Sequence, residues 1–365
     1  MAVSAPGKLI LMGEHAVVYG CPALVAAVDL RLSARFSPSP PGSPGRLRIE
    51  LPGLAPLCDT AWPEVLDYAR QARERWGRYV AEPGPEAFQA LRGKDPVHLV
   101  KIALGEAAAA LPPSPSPGET ALEGLHLRID SRLPLGSGMG SSAAAAVAVV
   151  AGYLLFRGAE ASLPQVERLA HEVECRQHGT PSGVDAATVA RGGLLWARRT
   201  PPSGLSIEPL AATSPLLSRL AIRDTGAPAE VTGTVVAAVR EKAGRDPRGH
   251  EQRLDRMAEA TLALRAELAA EAEDPLRVVE LIRAFQAGLE EMGVVPEAVR
   301  ERVRQVEAAG GAAKISGAGA LTGRAAGILL AYHPEPKRLT HLTALRALPS
   351  YPVHLGAAGL RREDR

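Results

Sequence analysis

Residues Pro134-Leu-Gly-Ser-Gly-Met-Gly-Ser-Ser-Ala143 lead directly into an alanine-rich apolar stretch and follow a segment in which Leu125, Leu127 and Ile129 alternate with polar residues. Alternation at a period of two predicts a strand, and the alanine run predicts a helix. The Gly-Ser segment is therefore a strand-to-helix junction. There the first-turn N–H groups have no partner within the helix and lie at the positive end of its dipole, which suits a phosphate. Gly136, Gly138 and Gly140 let a backbone approach phosphate oxygens closely, and Ser141 and Ser142 add hydroxyls for phosphate or Mg²⁺. Taken alone, the segment also reads as an ordinary helix cap preceded by flexible glycines. Two better-known cradles fail. A Walker loop needs Lys and then Ser or Thr after its last glycine, and a dinucleotide fingerprint starting at Gly136 needs glycine at position 141, which is serine.

The apolar stretch Ala143 to Phe156 covers 14 residues, short of the ~20 that a membrane-spanning helix needs. No membrane partner is expected. The chain carries 42 Lys plus Arg against 40 Asp plus Glu, which reads against a nucleic-acid protein with a general basic surface and leaves a local phosphate pocket open. With 365 residues and 46% apolar composition, two folded domains are expected. The N-terminus lacks the basic start and apolar core of a secretion signal. Cys21, Cys58 and Cys175 are odd in number and far apart, which suggests neither a disulfide framework nor a thiolate zinc site. The expectation is a reduced, cytoplasmic protein.

Strand-like runs at Lys8 to Met12, Ala23 to Val28, Arg31 to Phe36 and Leu47 to Leu51 predict an antiparallel meander. The proline-rich tracts 37–45 and 112–118 predict exposed loops, with a helix at Val97 to Leu111 before the second. Further helices are expected at about Pro164 to Arg176 and Ala186 to Ala190, and a hairpin at Leu194 to Arg198 and Leu205 to Leu210. A domain boundary falls near 201–204 or 214–215, dividing the chain into 1–210 and 211–365. The second part mixes strands at Leu220 to Arg223, Ala313 to Ser316, Gly327 to His333 and Val353 to Leu355 with long helices. In one of these, Val278, Leu281, Ile282, Phe285, Leu289 and Met292 share a face. The fold class is α+β, helices covering a mainly antiparallel sheet.

Several polar groups stand where packing alone does not ask for them. Lys8 enters an apolar strand, and Gly13-Glu14-His15 follows its end. Glu174 lies on the margin of the buried stripe of its helix, and Asp185 closes His178-Gly-Thr-Pro-Ser-Gly-Val-Asp185. Each alone also reads as a surface charge or a helix cap. His171-Glu172 opens like a zinc-protease helix, but residue 175 is cysteine, so His171 reads as a surface or packing residue. Glycines flank Lys314 to Ser316, giving either simple turns or a backbone able to close over a ligand. Phosphoryl transfer to an alcohol requires a nucleotide cradle, Mg²⁺ on oxygen ligands, a cation for developing charge and a carboxylate near the hydroxyl. Residues of every kind are present.

Together, Ala5 to Gly20, Pro134 to Ala144 and Lys314 to Gly319 resemble, in order, the three motifs of the GHMP kinase family, named for galacto-, homoserine, mevalonate and phosphomevalonate kinases. Gly13-Glu-His-Ala-Val-Val-Tyr-Gly20, with Glu174 eleven residues before Asp185, is most similar to the branch that phosphorylates mevalonate. A galactokinase is expected to place Thr-Asp where Ala16-Val17 stands. The resemblance implies an N-terminal domain of the ribosomal-protein-S5-domain-2 type and a ferredoxin-like C-terminal domain. It implies ATP phosphates on Gly136, Ser137, Gly138, Met139, Gly140, Ser141 and Ser142, with Mg²⁺ on Ser142 and Glu174. Asp185 and Lys8 are implied as the catalytic pair, and Glu14, His15, Gly317 and Ala318 as further acceptor contacts. ATP and mevalonate are the implied partners, with a homodimer as one option; phosphomevalonate or another small alcohol is the alternative acceptor, and a non-catalytic nucleotide sensor the rival class. Two segments depart from the family pattern. Thr225-Gly-Ala-Pro-Ala-Glu-Val-Thr232 stands where a Gly-x-Pro-Ser-x-Thr or Lys-x-Pro-Arg-x-Thr turn is usual, and Ala320-Leu-Thr-Gly-Arg-Ala-Ala-Gly327 replaces a run of glycines.

Overall fold

The structure is a computed structural model describing residues 1–39, 44–112, 124–134, 136–200 and 204–363. Residues 40–43 and 113–118 of the proline-rich tracts, and 201–203 of the expected boundary, lie outside the described residues. The N-terminal sheet is built around β1 (Ala2–Met12) and β2 (Pro22–Pro38), which pair antiparallel from Ala2↔Arg35 to Met12↔Leu24. β2 joins the two strands expected at 23–28 and 31–36. The interruption expected between them is a register shift opposite Pro6 and Gly7, where the proline has no N–H to give the ladder. Asp29, inside the shifted stretch, bonds His354 instead.

The expected meander is corrected at its last strand. β3 (Arg46–Glu50) is followed by β4 (Cys58–Ala61), α1 (Trp62–Ala81), α2 (Pro85–Leu91) and α3 (His98–Ala109) before β5 (Leu125–Ser131). β5 inserts between β2 and β3, antiparallel to the first and parallel to the second. A parallel partner needs a long crossover, and these helices supply it. α4 (Ser141–Phe156) is buried on all sides from Ala143 to Leu154 and packs on β1 and β2, as expected of a helix apolar around its whole circumference. α5 (Leu163–His178) and α6 (Val184–Arg191) lie beside it. β6 (Leu194–Thr200) and β7 (Gly204–Leu210) form the expected hairpin, and β6 also pairs with the first residues of β2.

After α7 (Leu216–Arg219), a smaller antiparallel sheet of order β8-β10-β9 is made by β8 (Ala221–Asp224), β9 (Ala312–Ser316) and β10 (Ile328–Tyr332). Between β8 and β9 run α8 (Thr232–Arg245), α9 (Pro247–Ala269), α10 (Pro275–Met292) and α11 (Glu297–Ala308). The apolar face expected on α10 is buried as a unit. Val353 to Leu355 does not form the expected strand. Pro349 and Pro352 bracket Ser350 and Tyr351, which reach β8 through one bridge and one N–H bond, and Leu355 instead bridges to Val28 of the larger sheet. A last short strand, β11 (Arg361–Arg362), adds to the free edge of β1. Among the described residues, no helix is long and apolar enough to cross a membrane.

His98 opens α3 with its Nδ1 2.8 Å from the Tyr68 hydroxyl, and burial, helped by Arg75, pushes its imidazole down to about 4. The unfolded chain therefore takes up a proton near pH 6.5 that the folded one refuses until about pH 4. The stabilising share is complete above pH 6.5 and is lost as pH falls through that window. The expected loss between pH 7.5 and 4.5 is roughly 2 to 3 kcal/mol. Urea unfolding at both pH values should show His98→Asn losing that share of the pH dependence.

Candidate active site

The Gly-Ser segment leaves β5 and turns back beneath β1. Its path depends on left-handed backbone: Gly140, the N-cap of α4, has φ 75°, and Gly138 has φ 87°. Lys8 N donates to Met139 O at 2.9 Å, which fixes the loop to the strand. No acidic side chain occupies the first turn of α4 and no side chain caps it, so its leading N–H groups are open to an anion. They face a cleft of about 460 Å³ lined from both halves of the chain. Gly136, Ser137, Gly138, Gly140, Ser141 and Ser142 all line it. Met139 turns its side chain into the core and gives its carbonyl to Lys8, so its part in this set is its backbone N–H.

Lys8 crosses the floor of the cleft. Its stem is covered by the loop, because a Cβ on residue 140 would come within 2.7 Å of Lys8 Cγ, and its Nζ lies 3.0 Å from Asp185 Oδ2. Lys8 is 5% exposed and Asp185 35%, so the cation is held from below while the carboxylate opens to the cleft. Asp185 sits in the first turn of α6, where the helix dipole favours a negative charge. Gly140→Ala should disturb both loop and lysine, since a left-handed non-glycine residue alone costs about 1 to 3 kcal/mol. The expected result is a melting temperature lowered by several degrees and kcat lowered about tenfold, read by thermal melts and steady-state kinetics.

Glu174, on α5, reaches the same end of the cleft. Ser142 Oγ donates to Glu174 Oε2 at 3.3 Å, and His178 Nε2 lies 3.4 Å from that hydroxyl. Burial, with Asp185 nearby, pushes the Glu174 carboxyl up to about 8. Burial pushes His178 down to about 4. Glu174 Oε1 is buried with no hydrogen-bond partner. A desolvated carboxylate oxygen, a hydroxyl and the adjoining phosphate seat fit Mg²⁺, which takes a few protein oxygens and completes its shell with phosphate and water. Among the described residues, no three His, Cys, Asp or Glu side chains gather as an all-protein metal site.

Another part of the cleft wall joins the N-terminal turn to the C-terminal loop. His15 has φ 58°, the one non-glycine residue with positive φ among those described, and its Nε2 lies 2.9 Å from Ala318 O. Glu14 is buried against Lys314, which sequence reasoning left without a role because 300 positions separate the two. Gly317 and Ala318 line the cleft, and Gly138 passes close under Gly317. Sequence reasoning also missed Tyr79, Phe88 and Arg92, which line the cleft from α1, α2 and the turn after it. His171 lines it too.

The two segments that depart from the family pattern touch each other. Glu230 Oε2 accepts from Leu321 N at 3.0 Å and its Oε1 from Thr322 Oγ1. Thr225 Oγ1 accepts from Ala326 N at 2.8 Å and donates to Gly327 O at 2.7 Å. The loop that lacks the glycine run is thus fastened by the turn that lacks the usual spacing. Thr232, the displaced threonine, begins α8 at the cleft.

Residues 98–193 match the family described as GHMP kinases N terminal domain. The chain is 30% identical to the mevalonate kinase of Thermococcus sibiricus over 99% of this chain and 98% of that one. It is 29% identical to the mevalonate kinase of Pyrococcus horikoshii, covering 99% of this chain and 97% of the other. Among solved structures, the Methanococcus jannaschii mevalonate kinase superposes with a TM-score of 0.73 at 17% identity, over 100% of this chain and 98% of that one. At that identity the superposition speaks for the fold, while the full-length relatives speak for the family. The chain belongs to the GHMP kinase family, in its mevalonate kinase group.

Proposed function

We propose that this chain transfers the terminal phosphoryl group of ATP to the primary hydroxyl of mevalonate, giving 5-phosphomevalonate and ADP. The observation that carries the reading is the Lys8–Asp185 pair, 3.0 Å apart and set beside the open N-terminus of α4 in one cleft. The N–H groups of the Gly136 to Ser142 segment would take the ATP phosphates. Mg²⁺ would be held by Ser142 and Glu174 and would supply positive charge to the phosphates. The acceptor oxygen attacks the terminal phosphorus; one P–O bond forms as the bond to the bridging oxygen of ADP breaks. The hydroxyl proton passes to Asp185. Lys8 lies against the same carboxylate, so it lowers the cost of negative charge on the attacking oxygen and fixes the orientation of Asp185. A loose transition state asks little early proton removal, so orientation by Asp185 matters as much as its basicity.

Phosphomevalonate as acceptor would call for further cations at the Glu14–His15 end. The cation buried there, Lys314, is committed to Glu14. Incubation with ATP, Mg²⁺ and each acceptor separately tests the reading. ADP should form with mevalonate, and turnover of phosphomevalonate alone would contradict the assignment.

A further inference from the structure

Lys314 takes no part in the transfer described above. It stands in the middle of β9, where every residue is buried, and is 1% exposed. An apolar side chain would serve packing there as well, since a buried ion pair seldom outdoes a hydrophobic pair of the same shape. Instead the ammonium meets Glu14, also 1% exposed, donates to Ile315 O at 2.6 Å, and lies 5.4 Å from the centre of the Phe285 ring. Only one oxygen of Glu14 is used. Oε2 is buried with no hydrogen-bond partner, and Glu14 lines the cleft. The neighbours of both residues cross the same gap: His15 meets Ala318 O, and Ser316 Oγ bonds Ile10 N at 3.1 Å and Ile10 O at 3.0 Å. The ion pair is the charged centre of the seam between the N-terminal turn and the C-terminal loop.

We propose that Lys314 is a positioning residue for the acceptor: acting through Glu14, it holds the unpartnered carboxylate oxygen of that residue beside the cleft, placed to accept a hydrogen bond from a hydroxyl of the acceptor alcohol. The inference rests on the alcohol-kinase reading. It assigns Lys314 to acceptor recognition, through the carboxylate it holds, and not to the ATP phosphates, which the proposed function places on the backbone of the loop before α4.

The test compares Lys314→Met, Glu14→Gln, and Glu14→Gln with Lys314→Met together, in the full chain. Lys314→Met alone leaves a buried carboxylate without its cation and should lower the melting temperature sharply. The double variant removes both charges and should recover most of that loss. The mevalonate KM should be raised tenfold or more in Lys314→Met, in Glu14→Gln and in the double variant, with the ATP KM within about twofold of wild type. A wild-type mevalonate KM in Lys314→Met or in the double variant, whatever its melting temperature, would overturn the proposal and make the pair purely structural. If the double variant does not fold, Glu14→Gln, which keeps the shape of the site, decides alone: an unchanged mevalonate KM overturns the proposal. Wild-type protein that phosphorylates a different alcohol would contradict the substrate reading, and the same KM comparison with that alcohol would still judge Lys314.

Discussion

Asp185→Ala is expected to lower kcat about a thousandfold, within the span usual for a lost proton acceptor, while ATP binding stays within about threefold of wild type. The separation follows from placement. Asp185 belongs to α6 and its carboxylate opens to the cleft beside Lys8, whereas the proposed phosphate seat is the backbone of the loop before α4. Alanine also strips Lys8 of its counter-charge, so part of the loss could come through the lysine. Asp185→Asn separates the two effects, because the amide keeps the shape and an oxygen for the ammonium but loses the charge and the ability to take a proton. A loss of similar size in both variants, measured as kcat beside ATP affinity by calorimetry, places the effect on the carboxylate. Near-normal turnover in either variant would remove Asp185 from the chemistry.

Lys8→Met should cost about a hundredfold to a thousandfold in kcat, the range seen when one charge-stabilising group is removed from an active site. Methionine fills the tunnel beneath Gly140 that the lysine stem occupies, so the fold should survive. The more telling measurement combines the changes. Lys8 and Asp185 touch at 3.0 Å and in the proposed transfer act on one oxygen, so the double variant Lys8→Met with Asp185→Ala should be little worse than the worse single variant. Losses that multiply would mean that the two residues act independently.

Legibility in the sequence followed physical range. The strand-to-helix junction proposed as the phosphate seat was readable because strand, glycines and helix are contiguous, and each has its own local signature. Glu174 and Asp185 were readable as candidates because one helix and one turn hold them close in the chain. The parallel pairing of β3 with β5 was not, since alternation marks a strand without naming its neighbour. Nor were Tyr79, Phe88 and Arg92, which come from the charge-rich α1, the short α2 and the turn after it, where the sequence carries no mark of chemistry. Met139 shows what a motif read as a block leaves out: its side chain belongs to the core, and only its backbone is left to serve binding. Glu230 and Thr225 show another, because each odd segment makes sense only beside the other, 91 and 101 positions away.

The most direct test is a crystal structure of the chain with a non-hydrolysable ATP analogue, Mg²⁺ and mevalonate bound together. The triphosphate should lie along the Gly136 to Ser142 segment at the head of α4, with the primary hydroxyl of mevalonate within hydrogen-bond reach of Asp185 and Lys8. A nucleotide seated away from that segment, or a hydroxyl out of reach of both side chains, would contradict the proposed transfer.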